Sequence, residues 1–493
     1  MNPASSSAWR DPDDDRPRLE CGVFGVWAAR DAAAITALGL HALQHRGQEA
    51  CGIASFDGHR FHTERHMGLV GDNFTGADLV QRLPGHAAIG HTRYATAGAS
   101  VVRNVQPMFA DLDTGGVALA HNGNLTNFLT LRTQLVAEGS IFQSTSDSEV
   151  ILHLLARSRR PRVVDRFIDA LRQIEGGYAL VVLTHKEMIG ARDPLGIRPL
   201  VLGELHGRFV LASETSALDM IGAEFVRDVE HGEVVVIDED GVRSLRPFPP
   251  QRARPCLFEY VYFSRPDSVV NGRSVYEVRK RMGRRLAEES AASADVVVPV
   301  PDSGVPAALG YAQQSGLPYE LGIIRSHFVG RTFIQPTQGV RELGVRMKHS
   351  PNRAVLEGKR VVLIDDSIVR GTTSVKIVRM VREAGAREVH LRSASPPIMF
   401  PDFYGIDMPD RDRLLAAHKS VAEMRDLLEV DSLGFLSVDG LYWAMGAGPR
   451  DPAAPQFTDH YFTGDYPTRL TDREIAEGRN DATERQLSLL VEA

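Results

Sequence analysis

The chain of 493 residues holds only three cysteines, Cys21, Cys51 and Cys256. That is too few for a disulfide framework and fits a reducing, cytoplasmic setting. No apolar run approaches the ~20 residues of a membrane span. The N-terminus lacks the apolar core of a secretory signal. Positive charge is not in excess either: the net charge is −7, which implies no general surface for nucleic acid or anionic membrane. Any anion site must therefore be local. What is present, 43% hydrophobic and 24% charged residues, describes a globular chain long enough for two domains.

The most informative stretch runs from Val361 to Ser374. Val361-Val362-Leu363-Ile364 reads as a buried parallel strand, ending on the adjacent carboxylates Asp365 and Asp366. A short Gly- and hydroxyl-bearing loop follows, then Val375, Ile377, Val378, Met380 and Val381 at helical spacing until Gly385. The backbone of Arg370, Gly371, Thr372, Thr373 and Ser374, opening a helix, can cradle a phosphate. Asp365 and Asp366 can accept hydrogen bonds from vicinal ribose hydroxyls. No Gly-Lys-Ser/Thr follows the glycine, so this is not a Walker A loop. It resembles the phosphoribosyl-diphosphate (PRPP) motif of type I phosphoribosyltransferases.

In the first half, residues 1–20 are polar and lack apolar periodicity. Next comes the strand-like run Cys21-Gly22-Val23-Phe24-Gly25-Val26. Four separated segments follow: His45-Arg46-Gly47-Gln48-Glu49-Ala50-Cys51-Gly52-Ile53, Gly90-His91-Thr92-Arg93-Tyr94-Ala95-Thr96-Ala97-Gly98, His121-Asn122-Gly123-Asn124-Leu125 and Ser144-Thr145-Ser146-Asp147-Ser148-Glu149. In this order they resemble the glutamine amidotransferases of the N-terminal-nucleophile (Ntn) class. The resemblance implies a four-layer αββα sandwich over residues 21–250. Alternating stretches such as 177–183 and 232–237 support it.

Glutamine hydrolysis needs a nucleophile, a base, an oxyanion hole and anchors for the amino acid. By this resemblance Cys21 is the nucleophile. A free α-amino group, with pKa of about 7.7–8.0, can serve as its base. That requires residues 1–20 to be a propeptide removed before Cys21. Arg93 would hold the glutamine carboxylate and Asp147 its ammonium. Asn122 and Gly123 would stabilise the oxyanion. His45, His91 and His121 read as structural. Residues 192–200 and 212–214 read as shaping the domain.

Residues 243–255, where Arg and Pro alternate, read as an ordered linker to a domain spanning 256–470. There Pro299-Val300-Pro301-Asp302-Ser303-Gly304 resembles the diphosphate loop of phosphoribosyltransferases, following its own strand at 295–298. The basic stretch 330–348 reads as a lid, with Arg331 and Lys348 supplying charge. Thr471-Asp472-Arg473-Glu474 reads as a capping box opening a helical tail, 471–493.

Taken together with Ser395-Pro396-Pro397, Phe403-Tyr404-Gly405-Ile406-Asp407 and 433–440, these segments resemble the amidophosphoribosyltransferase family. The expected architecture is an Ntn sandwich followed by a mainly parallel α/β domain. The implied reaction is the first committed step of purine synthesis. Glutamine-derived ammonia passes through an internal channel to C1 of PRPP, giving 5-phosphoribosylamine, diphosphate and glutamate. The resemblance also implies Mg²⁺ near Ser303, Asp365 and Asp366, a homotetramer, and inhibition by purine nucleotides. Some members carry a four-cysteine [4Fe–4S] cluster. Here only Cys256 matches a ligand position, and Asp402 stands where a second cysteine would be, so no cluster is expected. Two other classes share parts of the pattern. Another glutamine-dependent synthase would lack 365–374, and a PRPP-sensing regulator would need no activated thiol and would carry a basic DNA-binding module.

Overall fold

Two antiparallel sheets stack face to face in the first half of the chain, and a parallel sheet organises the second. The computed structural model describes residues 21–76, 78–94, 101–325, 349–408 and 410–478. The first sheet has seven strands, in the order Glu224–Asp228, Val201–Leu205, Arg208–Ala212, Gly22–Val26, Ala87–Arg93, Ala50–Phe56 and Phe61–Met67. The second has six, in the order Gly241–Leu245, Val234–Asp238, Met188–Arg192, Gly176–Thr184, Gly115–Leu125 and Met108–Leu112.

Period-2 alternation decides which side chain enters which layer. Val23, Ile89, Ala118, Ala120, Ala179 and Val181 meet between the sheets. Their neighbours Phe24 and Ala88 face the helix Ala32–Ala42, and Val117, Leu119 and Leu180 face the helices Ser148–Arg157 and Val163–Leu171. The inner strands of both sheets are therefore buried on both faces, and the layers run helix, sheet, sheet, helix. This is the expected αββα sandwich.

The second sheet system has four parallel strands in the order Val296–Pro299, Arg360–Asp365, Glu388–Ser393 and Ser432–Phe435. Val362 and Ile364 face one core with the helices Val275–Glu289 and Val305–Ser315. Val361 and Leu363 face another, with Ile377, Val378 and Val381 of the helix Thr372–Glu383. Hydrophobic strands buried on both faces are what a parallel sheet requires. Leu195 and Ile197 of the first half join the former core, so apolar packing crosses between the halves.

Two local expectations change. The segment 243–255 is not all linker, because Arg243 lies in the strand Gly241–Leu245, paired with Val236. Thr471 and Asp472 open the helix Thr471–Gly478, but their side chains serve other elements. Thr471 donates to Glu175 at 2.5 Å. Asp472 accepts from the N–H groups of Leu129 and Thr130 in the first turn of the helix Phe128–Ala137.

Candidate active site

Cys21 sits immediately before the central strand Gly22–Val26 and is buried. Its Sγ lies 3.6 Å from the Tyr94 carbonyl as donor. Burial pushes the thiol up to about 11, against the opposing charge of nearby Arg93. A neutral thiol is a poor nucleophile, so any attack by this sulfur would need a base to take its proton.

Arg93 ends the strand Ala87–Arg93, next to the Thr92 that pairs with Gly22. Burial draws its guanidinium below the ordinary value, opposed by Cys21, Glu49 and Asp147. Asp147 precedes the helix Ser148–Arg157 and is also buried. Its Oδ2 accepts the Leu125 N–H at 3.0 Å, tying that carboxylate to the strand that carries Asn122 and Gly123.

Asn122 is wholly buried, yet among the described residues neither its Oδ1 nor its Nδ2 has a hydrogen-bond partner. An orphaned buried amide is costly and needs an occupant or a task. Gly123 adopts φ +140°, and a Cβ there would lie 2.0 Å from the Gly177 carbonyl oxygen, so only glycine fits. The sheets are joined beside this point: His91 Nε2 lies 3.0 Å from the His121 carbonyl. His45 contacts Glu214 Oε1 at 2.6 Å, and His121 Nδ1 contacts Ser148 Oγ at 3.0 Å. All three histidines are thus held by protein partners.

Several contacts here carry no local sequence signature. Gln106 accepts from the His121 N–H at 2.7 Å and donates to Ser148 Oγ at 3.0 Å. Arg46 is fully buried between Glu214 and Glu259, donating to Glu259 Oε2 at 2.6 Å. Glu214 also accepts from Arg265 N and Ser268 Oγ. A charge cluster with no exposure thus spans the two halves. Burial raises the Glu214 carboxyl, but Arg46 and His45 outweigh it and hold it well below the carboxylate range. The only sequence hint was charged residues inside otherwise apolar or motif segments.

At the second site, Asp365 and Asp366 leave the strand Arg360–Asp365 side by side and buried. The Asp366 N–H donates to Asp365 Oδ1 at 3.0 Å, and Ser367 Oγ donates to Asp366 Oδ1 at 2.5 Å. Parallel pairing sets Pro299 opposite Ile364. The two loops therefore emerge together at the carboxyl ends of adjacent strands, where open α/β sheets bind ligands. Ser303 of the upstream loop donates to Asp366, so the structure brings both predicted segments together. Gly371 stands before the helix Thr372–Glu383, whose first turn contains Thr372, Thr373 and Ser374. N–H groups in that turn have no partner within the helix. A small cleft lies between Asp365–Asp366 and Thr373–Ser374. Arg331, Lys348 and the stretch 330–348 lie outside the described residues, as do 1–20 and 95–98.

Cys256, Asp402, His460 and Tyr461 gather in one buried cluster. Cys256 Sγ lies 3.0 Å from Tyr461 Oη, and His460 Nε2 lies 3.0 Å from Asp402 Oδ1. Asp402 spends its other oxygen on the backbone N–H groups of Tyr404 and Ile406. Asp402 is thus engaged in shaping its own loop.

Fold and sites together define an Ntn-class glutamine amidotransferase joined to a phosphoribosyltransferase. Residues 91–220 match the glutamine amidotransferase domain family, and residues 271–393 match the phosphoribosyl transferase domain family. The chain is 64% identical over 480 residues to amidophosphoribosyltransferase of Rhizobium etli, covering 96% of this chain and 97% of the relative. It is 50% identical over 452 residues to that of Bacillus subtilis, covering 92% and 94%. Among solved structures, the glutamine PRPP amidotransferase of B. subtilis complexed with ADP and GMP superposes with a TM-score of 0.86 at 48% identity, covering 91% of this chain and 98% of that one. The chain belongs to the amidophosphoribosyltransferase family, enzymes of the first step of purine biosynthesis. No helix among the described residues is long and apolar enough to cross a membrane.

Proposed function

We propose that this chain hydrolyses glutamine at Cys21 and delivers the ammonia, through the protein interior, to C1 of PRPP bound at 365–374. The observation that carries the first half is the orphaned, buried Asn122 amide on the strand whose Leu125 N–H holds Asp147, the carboxylate whose charge acts with Arg93 on Cys21. Removal of residues 1–20 would free the Cys21 amine to accept the thiol proton. The sulfur then attacks the glutamine carbonyl, and the oxyanion meets Asn122 Nδ2 and the Gly123 N–H. Ammonia leaves, and water cleaves the resulting thioester to release glutamate. Arg93 pairs with the substrate carboxylate as a fork, and Asp147 takes the ammonium.

At the second site Asp365 and Asp366 receive the ribose hydroxyls, and the backbone of residues 370–374 receives the 5-phosphate. Arg331 and Lys348 belong to the proposed closing segment. Nitrogen attacks C1 as the C1–O bond to diphosphate breaks. Two carboxylates and the Ser303 hydroxyl suit a Mg²⁺ ion that keeps water and substrate phosphates as its remaining ligands. When bound, that ion would neutralise charge on the leaving diphosphate. A cytoplasmic homotetramer inhibited by purine nucleotides belongs to the same reading. The domain division at 21–250, 256–470 and 471–493 follows from it as well.

The decisive experiment separates the two chemistries. Cys21→Ala should abolish phosphoribosylamine formation from glutamine while formation from added ammonium at mildly alkaline pH survives. A folded Cys21→Ala protein that binds PRPP but fails with ammonia would refute the division of labour. Retained glutamine use would show that Cys21 is not the nucleophile.

A further inference from the structure

The segment Phe403-Tyr404-Gly405-Ile406-Asp407 has no part in the PRPP chemistry above, yet it reaches across to the glutaminase site. Asn124 Nδ2, one residue beyond Gly123, donates to the Phe403 carbonyl at 3.0 Å. Gly405 has φ +118°, and a Cβ built on it would lie 2.9 Å from the Gly123 carbonyl carbon and 3.0 Å from its Cα. On the neighbouring strand, a Cβ on Gly177 would lie 3.2 Å from Tyr404 Cβ. Gly123 therefore lies between two backbones, Gly177 on its own sheet and Gly405 on the second half.

The loop that makes this contact is itself held in place from both halves. Asp402 Oδ2 accepts the N–H groups of Tyr404 and Ile406 at 2.9 and 2.7 Å. Arg198, fully buried and from the first half, donates to the Tyr404 carbonyl through Nε and Nη2 at 3.0 and 2.7 Å. The Arg198 backbone is in turn fixed by Asp193, whose carboxylate accepts the N–H groups of Leu195, Ile197 and Arg198. A glycine at φ +140° has no conformational preference of its own to hold that geometry. Its neighbours must supply the constraint.

We infer that residues 402–407 of the second half position the Gly123 N–H, so that the phosphoribosyltransferase half completes the oxyanion hole of the glutaminase. The inference rests on the assignment of Asn122 and Gly123 as oxyanion donors. Residues 402–407 touch no reacting atom and act through Gly123, so the signature is a fall in kcat without a change in glutamine KM.

Gly405→Ala, which drives a methyl group into Gly123, and Asn124→Asp, which sets a carboxylate against the Phe403 carbonyl, are tested in the full chain beside Asn122→Ala. Asn124→Asp should lower kcat for glutamine hydrolysis about tenfold to a hundredfold, the range for a donor misplaced but not removed. Glutamine KM, ammonia-dependent synthesis and its PRPP KM should match the parent. Gly405→Ala should give the same pattern. Parental kcat in Asn124→Asp, with activity lost in Asn122→Ala, would overturn the positioning role alone. Parental kcat in Asn122→Ala would overturn the oxyanion assignment and this inference with it. A rise in glutamine KM at constant kcat, or equal loss of the ammonia reaction, would also overturn it, by placing the loop's effect elsewhere.

Discussion

The state of the Cys21 thiol yields the sharpest test of how the first site is activated. Burial raises its pKa to about 11. At pH ~8 such a thiol is ionised in roughly one molecule in a thousand, against about a quarter for an unperturbed thiol of pKa ~8.5. An unprocessed chain, trapped by Glu20→Pro, has an amide in place of the Cys21 amine and so no adjacent base. Its Cys21 alkylation by iodoacetamide, followed by peptide mass spectrometry, should still be rising at pH ~10. In a chain beginning at Cys21, the proposed mechanism has the amine take the proton, so glutamine hydrolysis should rise through pH ~7.7–8.0 as that amine becomes neutral. The linked effect on stability has a definite sign. The folded-state pKa lies above the unfolded one, so the contribution of the neutral thiol is intact below pH ~8.5 and is lost as pH climbs toward the folded value. An unprocessed chain whose alkylation levels off near pH ~8.5 would refute the reasoning. So would full glutaminase activity with residues 1–20 attached.

Arg46→Met strips the cation from two carboxylates with almost no exposure, Glu214 and Glu259. It should cost about 3–5 kcal/mol in urea unfolding, because the charges left behind are buried and uncompensated; an unchanged midpoint and slope would contradict this. The depressed Glu214 carboxyl contributes stability above pH ~4.3 that is lost as pH falls through its lower folded value. Glu214→Gln should therefore flatten the acid limb of the stability profile, read by circular dichroism from neutral pH downward. Asp365→Ala or Asp366→Ala should raise the PRPP and Mg²⁺ concentrations needed for synthesis while basal glutaminase persists. Parental PRPP kinetics in both would remove the ribose assignment.

Much of the architecture was legible because it rests on local pattern. The strand predicted at 177–183 is Gly176–Thr184, and the helix expected after the hydroxyl-rich loop is Thr372–Glu383. Alternation and helical spacing report which backbone buries which face, and that information lies within a few residues. The segments of both sites were legible for a related reason. A thiol, an Arg and an Asp in set motifs, or two carboxylates at a strand end, state a chemical task before any folding is known.

The structure alone decided what lies against those segments. The Asn124–Phe403 bond joins residues 279 positions apart, and Arg46 meets Glu259 across a separation of 213. Gln106 looks like any polar residue before a proline until its two bonds to His121 and Ser148 are seen. The capping-box motif at 471–474 marks the start of the helix Thr471–Gly478, but its Thr471 hydroxyl is turned to Glu175 and its Glu474 N–H to the Leu470 carbonyl. Buried polar groups must be paired, but which partner they take is chosen by packing between elements remote in sequence. Composition and motif thus determined the two chemistries and the backbone that carries each. Tertiary packing decided how the second half reaches into the first, because close backbone contacts such as Gly405 on Gly123 exist only once both domains are folded and docked.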